Sequence, residues 1–227
     1  MNYVVMMSTN IMAKANRVYK TKVPVTKNQQ VEAEVVDITY QGMGVIKIDN
    51  FPIFVIDAIP GEVVQVGITK VLKSYAFGRV IKRVKASPNR AENVDKVAIT
   101  TGIAPLANLK YEAQLTFKQR QVEQLFKKVN VSVEVNPTIG MTDPTKYRNK
   151  AQVPVQMVNG QLETGFYRRG SHKLMPVEDF YIQDPKVDEA VSVTRDVLRD
   201  LGISAYDEET HKGVVRHIMA RRGFYSH

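Results

Sequence analysis

The chain has 227 residues and carries 32 Lys plus Arg against 23 Asp plus Glu, which gives a formal net charge of +9. An apolar fraction of 44% and a charged fraction of 24% are typical of a globular protein and exclude bulk disorder, and no apolar run approaches the roughly 20 residues of a bilayer span. The chain has no cysteine and has four histidines without metal-ligand spacing, so disulfides, an Fe–S cluster and a resident metal are not expected. No export signal is recognised in the sequence, so we expect a cytoplasmic protein without a membrane partner.

Five short strands are predicted after an N-terminal extension, residues 1–25, that we expect to be disordered. Alternating or continuous apolar runs are separated by turn signals at Gly42–Gly44, Asp49-Asn50 and Pro60-Gly61. Five strands in fewer than 60 residues favour a small closed barrel over residues 26–86, because closure leaves no exposed strand edge.

The segment after the barrel begins with a predicted loop over 86–104 and continues with an amphipathic helix over 109–129. Apolar residues of this helix recur at helical spacing, and basic residues occupy its other faces. Asn159-Gly160 is a hairpin signal, so the flanking runs Lys150–Met157 and Gln161–Tyr167 are predicted to be strands.

A second helix is predicted to begin at Asp184-Pro185, because Asp caps helices and Pro fits the first helical position, and to end at Gly202. One more strand is predicted over Val214–Met219. This mixture of helices and strands predicts a mixed α/β domain over residues 87–227, and the fold class expected for the whole chain is therefore α+β.

Positive charge is concentrated in segments that lack acids. Residues 63–91 hold seven basic residues and no acid, and shorter basic clusters lie at 146–150 (KYRNK) and 167–173 (YRRGSHK). Any single cluster can also be interpreted as a solubilising surface, but several clusters, most of them containing tyrosine, favour a nucleic-acid partner.

Four short motifs lie in the barrel segment and directly after it, namely Gly42-x-Gly44, Phe54-Val55, Ile59–Glu62 and Ser87–Arg90. Together they resemble the TRAM domain, an RNA-binding barrel of the oligonucleotide/oligosaccharide-binding (OB) type found on RNA-modifying enzymes. The resemblance implies that residues 26–86 form an OB-like TRAM barrel. Radical-SAM methylthiotransferases also carry TRAM domains, but they require a cysteine cluster that this chain lacks.

Four further motifs follow the barrel in this order, namely Tyr111–Leu115, Tyr147–Gln152, Gly165–Arg168 and Gln183–Pro185. They resemble the central domain of RNA uracil-5-methyltransferases, in the cluster-less form of Gram-positive bacteria. The resemblance implies that residues 87–227 are the truncated central domain of a 23S ribosomal RNA uracil-5-methyltransferase, with the Rossmann-like methyltransferase domain absent. Thr101 and Ala104 stand where cluster-bearing relatives have two cysteines, so no Fe–S cluster is implied.

The chemistry that the resemblance implies requires groups that this chain lacks. Family members add a cysteine thiolate to carbon 6 of uracil, and the resulting enolate attacks the methyl group of S-adenosylmethionine (SAM). Without cysteine, the chain has no expected catalytic residue and no cofactor of its own, although the full-length family uses SAM. The preferred hypothesis is the RNA-binding portion of a methyltransferase in rRNA processing, not catalytic by itself. The alternative is a stand-alone TRAM- or OB-type RNA-binding or ribosome-assembly protein.

Twelve residues in the basic segments are candidate RNA contacts, either as phosphate ligands or as stacking rings. Strand alternation would place Arg79 and Arg83 on one face of the last barrel strand and Lys82 on the other. The expected partners are RNA, with 23S rRNA as the target, and either the missing catalytic domain or a second copy against exposed helix faces. The twelve candidates are Lys70, Lys73, Tyr75, Arg79, Arg83, Tyr147, Arg148, Lys150, Tyr167, Arg168, Arg169 and His172.

Overall fold

The computed structural model describes residues 23–223 and 225, so the predicted N-terminal extension lies almost wholly outside the described residues. Ten strands and three helices form in this part of the chain. The strands are β1 (Gln30–Glu34), β2 (Asp37–Ile38), β3 (Met43–Ile48), β4 (Phe51–Ile56), β5 (Val63–Val71), β6 (Ala76–Lys85), β7 (Lys150–Val158), β8 (Gln161–Tyr167), β9 (Leu174–Pro176) and β10 (His217–Arg221), and the helices are α1 (Lys96–Thr101), α2 (Tyr111–Lys128) and α3 (Pro185–Asp200).

The first six strands form one curled sheet in the order β1-β5-β6-β4-β3-β2. Its two edge strands, β1 and β2, are consecutive in the sequence and are separated only by Val35 and Val36. The Val35 N–H donates to the Glu62 carbonyl, and the Val36 N–H donates to the Val45 carbonyl, so the chain bonds to both ends of the sheet at this bend. The Val35 side chain is 1% exposed. The predicted first strand is therefore bent into two, and the sheet has six strands instead of five.

β-Branched side chains fill the interior of the barrel. Burial of such side chains contributes about 1.5–3 kcal/mol each, which makes this apolar cluster the main stabilising element of the barrel. The β3–β4 hairpin turns through Asp49 and Asn50, at φ of 49° and 62°, as its turn signal predicted. The side chains with 0% exposure include Ile46, Ile53, Val55, Val64 and Val66.

A β-bulge in β6 changes the faces expected for its basic residues. Val80 and Lys82 have register partners in β5, whereas Ile81 between them has none. The alternation of faces therefore shifts by one residue at Ile81. Arg79 and Lys82 share the outer face and Arg83 turns to the inner face, so the predicted placement of Arg79 with Arg83 is wrong.

The segment 86–104, predicted to be a loop, contains the short helix α1. The carboxylate of Asp95 caps this helix and accepts hydrogen bonds from the N–H groups of Val97 and Ala98, at 2.8 and 3.0 Å. Gly102 ends the helix in the left-handed conformation, at φ 81°. A helix of six residues is too short for apolar periodicity to reveal it in the sequence.

The other four strands form an antiparallel sheet in the order β10-β7-β8-β9, and α3 packs across it. The β7–β8 hairpin turns at Asn159-Gly160 as predicted, and α2 and α3 lie within their predicted ranges. The last strand begins at His217 instead of Val214, because the N–H groups of Val214 and Val215 donate to the Ser204 carbonyl rather than to β7.

Helix α2 packs its first half against the barrel. Phe117 is 7% exposed and lies in one apolar cluster with Ile38 and Ile59 of the barrel. Next to this cluster, Arg120 forms an ion pair of 2.7 Å with Asp37. The barrel is therefore joined to the rest of the chain by an apolar contact with a charged rim.

Candidate nucleic-acid interface

Three aromatic rings lie together on the outer face of the barrel. Phe54 of β4 and Phe77 of β6 are register partners in a parallel strand pair, and Tyr75 comes directly before β6. Their ring centroids are 5.5–6.0 Å apart, and the rings are steeply inclined to one another. All three residues are half-buried, so part of each ring is accessible to a stacking partner.

Basic residues lie next to these rings along the chain and in the strand register. Lys70 of β5 is the register partner of Phe77, Arg79 lies two residues further along the same outer face, and both are exposed. Lys73 lies two residues before Tyr75 and lines a neighbouring hollow of about 500 Å³ together with Asp49 and Phe51. Cations beside aromatic rings are the arrangement with which OB-type barrels hold the phosphates and bases of a single strand. We call this surface the barrel face; it consists of Phe54, Lys70, Lys73, Tyr75, Phe77 and Arg79.

Arg83 lies apart from the barrel face, in an ion-pair cluster. Its Nε lies 2.8 Å from Oε1 of Glu62, without the alignment of a hydrogen bond, and its Nη2 donates to the Asp57 carbonyl at 2.8 Å. Arg90 donates two hydrogen bonds, of 2.6 and 3.0 Å, to the same Glu62 carboxylate. Burial alone would raise the pKa of Glu62, but hydrogen bonds from Arg90 and the Ile59 N–H hold this pKa below its usual range. Because its charge is already paired, we do not assign Arg83 to the RNA surface.

Tyr147, Arg148 and Lys150 lie at the start of β7, and all three are exposed. The backbone here is fixed, because the Arg148 N–H donates to the Ile182 carbonyl at 2.8 Å and the Asp184 N–H donates to the Arg148 carbonyl at 2.9 Å. The Arg148 side chain donates to the Lys150 carbonyl at 3.1 Å and meets no carboxylate among the described residues. A rigid backbone thus presents an arginine without an acidic partner.

Tyr167, Arg168, Arg169 and His172 lie at the end of β8 and in the turn to β9. The Arg168 N–H donates to the Lys173 carbonyl at 3.0 Å and closes the turn. The rings of Tyr167 and His172 are 6.5 Å apart and meet edge to face. Arg168 and His172 are exposed, whereas Arg169 is half-buried, and burial lowers its pKa.

These last two groups lie at the same end of one sheet. Strands β7 and β8 are antiparallel and are joined by the Asn159-Gly160 hairpin, so the start of β7 and the end of β8 meet at the opposite end. The predicted contacts therefore form two surfaces, and we call the second one the sheet end. The sheet end consists of Tyr147, Arg148, Lys150, Tyr167, Arg168, Arg169 and His172.

Two further exposed residues, Tyr40 and Arg221, are not among the twelve candidates predicted from the sequence. Tyr40 is 73% exposed in the turn between β2 and β3, and this turn packs so closely on the loop after α1 that a Cβ on Gly42 would lie 1.8 Å from the Pro105 carbonyl oxygen. Arg221 is exposed and lies directly opposite Lys150 in the β7–β10 register. A tyrosine beside a turn glycine was a visible signal for the first, whereas only the strand register reveals the second.

Neither a metal site nor a membrane-spanning helix is found in the described part of the chain. Among residues 23–223 and 225, no group of His, Asp and Glu side chains is arranged to hold a metal ion. No helix in this part has both the length and the apolar character needed to cross a bilayer.

Comparison with known proteins supports this interpretation of the barrel. Residues 24–81 match the TRAM domain family, which confirms the predicted TRAM domain. The chain is 54% identical over 92% of its length to an uncharacterized RNA methyltransferase of Lactiplantibacillus plantarum and 44% identical over 89% of its length to one of Enterococcus faecalis. It spans 46% and 45% of these two proteins. The chain is thus similar to proteins named RNA methyltransferases over about half of their length, and its barrel matches the TRAM family.

A solved structure shares the fold. The Pyrococcus abyssi tRNA (uracil-54, C5)-methyltransferase in complex with S-adenosyl-L-homocysteine superposes with a TM-score of 0.60, at 18% identity, over 86% of this chain and 43% of its own. At this identity the likeness concerns the fold alone.

These comparisons correct one expectation. The chain was expected to be a methyltransferase with its catalytic domain missing, but proteins named RNA methyltransferases align with 92% of it, and the structural neighbour is itself a methyltransferase. The expectation of a missing catalytic domain is therefore wrong as a description of this chain, which aligns along most of its length with proteins named RNA methyltransferases. The expected absence of a Rossmann-like domain stays a prediction.

Proposed function

We propose that residues 23–223 form the RNA-recognition part of a SAM-dependent methyltransferase that modifies uracil carbon 5 of 23S ribosomal RNA in the cytoplasm. The observation that carries this proposal is the barrel face, where exposed cations lie next to three half-buried rings in a segment that matches the TRAM family. On this proposal, these residues bind the RNA and present a uridine for modification.

The barrel face favours unpaired nucleotides. Stacking of a base on an aromatic side chain contributes about 1–3 kcal/mol per base, and only a base that is free of its own stack can make this contact. Tyr75 and Phe77 offer such rings, while Lys70 and Arg79 are close enough along the same face to neutralise the adjacent phosphates. A single-stranded loop fits this chemistry better than a continuous duplex.

The sheet end supplies a second cationic surface. Lys150 lies directly opposite Arg221, and like charges placed directly opposite on neighbouring strands repel each other unless an anion lies between them. Tyr147, which is 54% exposed, adds an accessible ring. We propose that this surface binds a second stretch of the same RNA.

Methyl transfer itself is assigned to none of the described residues. The chain has no cysteine, so these 227 residues cannot form the thiolate adduct of the family that they resemble. In residues 23–223, no strand leads into a helix through a glycine-rich turn, which is the geometry that typically binds a nucleoside cofactor, so the residues present do not fit SAM. We propose SAM as the methyl donor of the whole protein because the structural neighbour holds S-adenosyl-L-homocysteine.

The experiment is a binding titration of the chain with a labelled loop from 23S rRNA, the same RNA annealed as a duplex, and a transfer RNA. We expect the loop to bind most tightly, and log affinity to fall linearly with log salt concentration. The double variant Lys70→Gln/Arg79→Gln should bind about five- to thirty-fold more weakly, since an exposed charge contributes ~0.5–1 kcal/mol. The matched control is Lys118→Gln/Lys128→Gln, which removes two exposed charges from α2.

Three results would contradict the proposal. Affinity that does not change with salt would exclude phosphate binding, and equal losses in both double variants would exclude a specific barrel face. Methylation of the RNA by this chain with SAM alone would show that these residues do more than recognise RNA. Equal binding of all three RNAs would favour the stand-alone RNA-binding protein.

A further inference from the structure

One buried or half-buried arginine differs from the others in its electrostatic surroundings. The described residues contain six arginines that are not exposed, and five of them lie within ion-pair distance of a carboxylate. Arg169 has no such contact, and its guanidinium makes no hydrogen bond within the described part of the chain. The five paired arginines are Arg83, Arg90, Arg195, Arg199 and Arg222.

The position of Arg169 is fixed by its neighbours. Its backbone N–H donates to the Thr100 carbonyl at 3.1 Å, which ties the β8–β9 turn to the end of α1. Its side chain then lies across Gly102, so closely that a Cβ on Gly102 would be 2.5 Å from Nε. The guanidinium is therefore held against a backbone surface that only glycine leaves open.

An unpaired charge in this position is costly. Burial lowers the pKa of Arg169 and no charged group offsets this effect, yet an arginine remains protonated near neutral pH. Partial removal of a charge from water costs free energy unless a counter-charge replaces the water. The undescribed residues contain no Asp or Glu side chain to supply that counter-charge.

We infer that Arg169 is a phosphate-binding residue that receives one backbone phosphate of the bound RNA. This inference rests on the proposed function and names the anchoring contact of the sheet end. The planar guanidinium can donate two parallel hydrogen bonds to a phosphate, and partial burial strengthens such bonds relative to those of an exposed lysine. The segment 167–173 contains no acid that would repel the phosphate.

The test compares Arg169→Gln with two matched variants of the full chain. Arg168→Gln removes the exposed neighbouring charge, and Arg199→Gln removes a half-buried arginine that is paired with Glu163 at 2.7 Å. Each variant is titrated with the 23S rRNA loop over a range of salt concentrations, and its free energy of unfolding is measured in urea. Inorganic phosphate is tested separately as a stabiliser of the free protein.

We expect Arg169→Gln to weaken RNA binding by about ten- to a hundred-fold and to reduce the salt slope by ~0.7, as for one phosphate of a single strand. Its free energy of unfolding should equal or exceed that of the unchanged chain, because a desolvated charge is removed. Arg168→Gln should weaken binding by no more than about five-fold. Arg199→Gln should lower the unfolding free energy instead.

The outcomes separate this inference from the proposed function. RNA affinity of Arg169→Gln within two-fold of the unchanged chain, or a clear loss of its stability, would overturn the role of Arg169 in phosphate binding. If the unchanged chain binds no RNA but is stabilised by inorganic phosphate, and Arg169→Gln is not, the anion site stands and the proposed function fails. If the unchanged chain and Arg169→Gln respond equally to the RNA loop and to inorganic phosphate, the inference about Arg169 fails.

Discussion

Arg79 and Arg83 are four residues apart on β6, yet only Arg83 contacts carboxylates. The difference arises at Ile81, where the bulge turns the following residues to the other face. Sequence periodicity identifies Arg79 and Arg83 as strand residues but does not reveal a bulge. A bulged residue such as Ile81 is recognised only because it has no pairing partner in the neighbouring strand. The predicted role in RNA binding therefore remains a proposal for Arg79, and Arg83 is better explained as a structural residue.

The ion-pair cluster around Arg83 and Arg90 depends on the carboxylate of Glu62. It is 0% exposed and lies between Arg83 and Arg90, which come from different parts of the chain. We expect Glu62→Gln to lower the free energy of unfolding by about 3 kcal/mol, because two partly buried arginines lose their shared anion. Urea unfolding at neutral pH measures this change, and Glu134→Gln, which alters an exposed acid, is the control.

The same variant gives a pH signature. The folded pKa of Glu62 is below its ordinary value of 4.5, so its stabilisation is complete above that value and is lost as the pH falls through the lower folded pKa. The stability difference between the unchanged chain and Glu62→Gln should therefore shrink in that acidic range. A difference that stays constant down to the lowest pH would show that the charge of Glu62 is not what stabilises the cluster.

At the scale of elements, the sequence predicted those whose signals are local. The caps of α3, the periodicity of α2 and the Asn159-Gly160 turn all act within a few residues. The bend at Val35 and Val36 was not predictable in this way. It is stabilised by hydrogen bonds to Glu62 and Val45, which lie at opposite ends of the sheet and are distant in the sequence. For the candidate site, the sequence predicted which basic and aromatic residues cluster along the chain. It did not predict that these residues form two separate surfaces, because that depends on pairing between strands that are distant in the sequence.

The turn between β2 and β3 carries a prediction at this scale. Tyr40 is largely exposed there, and the close contact of Gly42 with Pro105 holds the turn in place. We expect Tyr40→Ala to weaken binding of single-stranded RNA by about 1–3 kcal/mol with little change in stability, because an exposed ring stacks on a base but contributes little to the core.

Tyr40→Phe is the control, since it keeps the ring and removes only the hydroxyl. Titration with the 23S rRNA loop and thermal unfolding of each variant give the two quantities required. Equal affinity of Tyr40→Ala and the unchanged chain would remove this turn from the RNA surface. Equal losses in Tyr40→Ala and Tyr40→Phe would indicate a hydrogen bond of the hydroxyl instead of stacking.

At the scale of the whole molecule, the barrel face and the sheet end give two cationic surfaces on one chain of net charge +9. If both bind one RNA, the second contact is intramolecular and its effective concentration is high, so avidity can exceed either affinity by about 10²–10⁴. This effect does not depend on any single contact. It requires only an RNA long enough to reach both surfaces.

Variants of each surface test this bridging. We expect Lys70→Gln/Arg79→Gln and Arg148→Gln/Lys150→Gln each to weaken binding of a long 23S rRNA fragment, and the fourfold variant to lose the product of the two factors. A short oligonucleotide that fills one surface should respond to only one of the double variants, because it cannot reach the other. The two double variants remove equal charge, so a difference between long and short RNA cannot arise from net charge alone. If the fourfold variant binds the long fragment no more weakly than the weaker double variant does, the two surfaces do not act on one RNA.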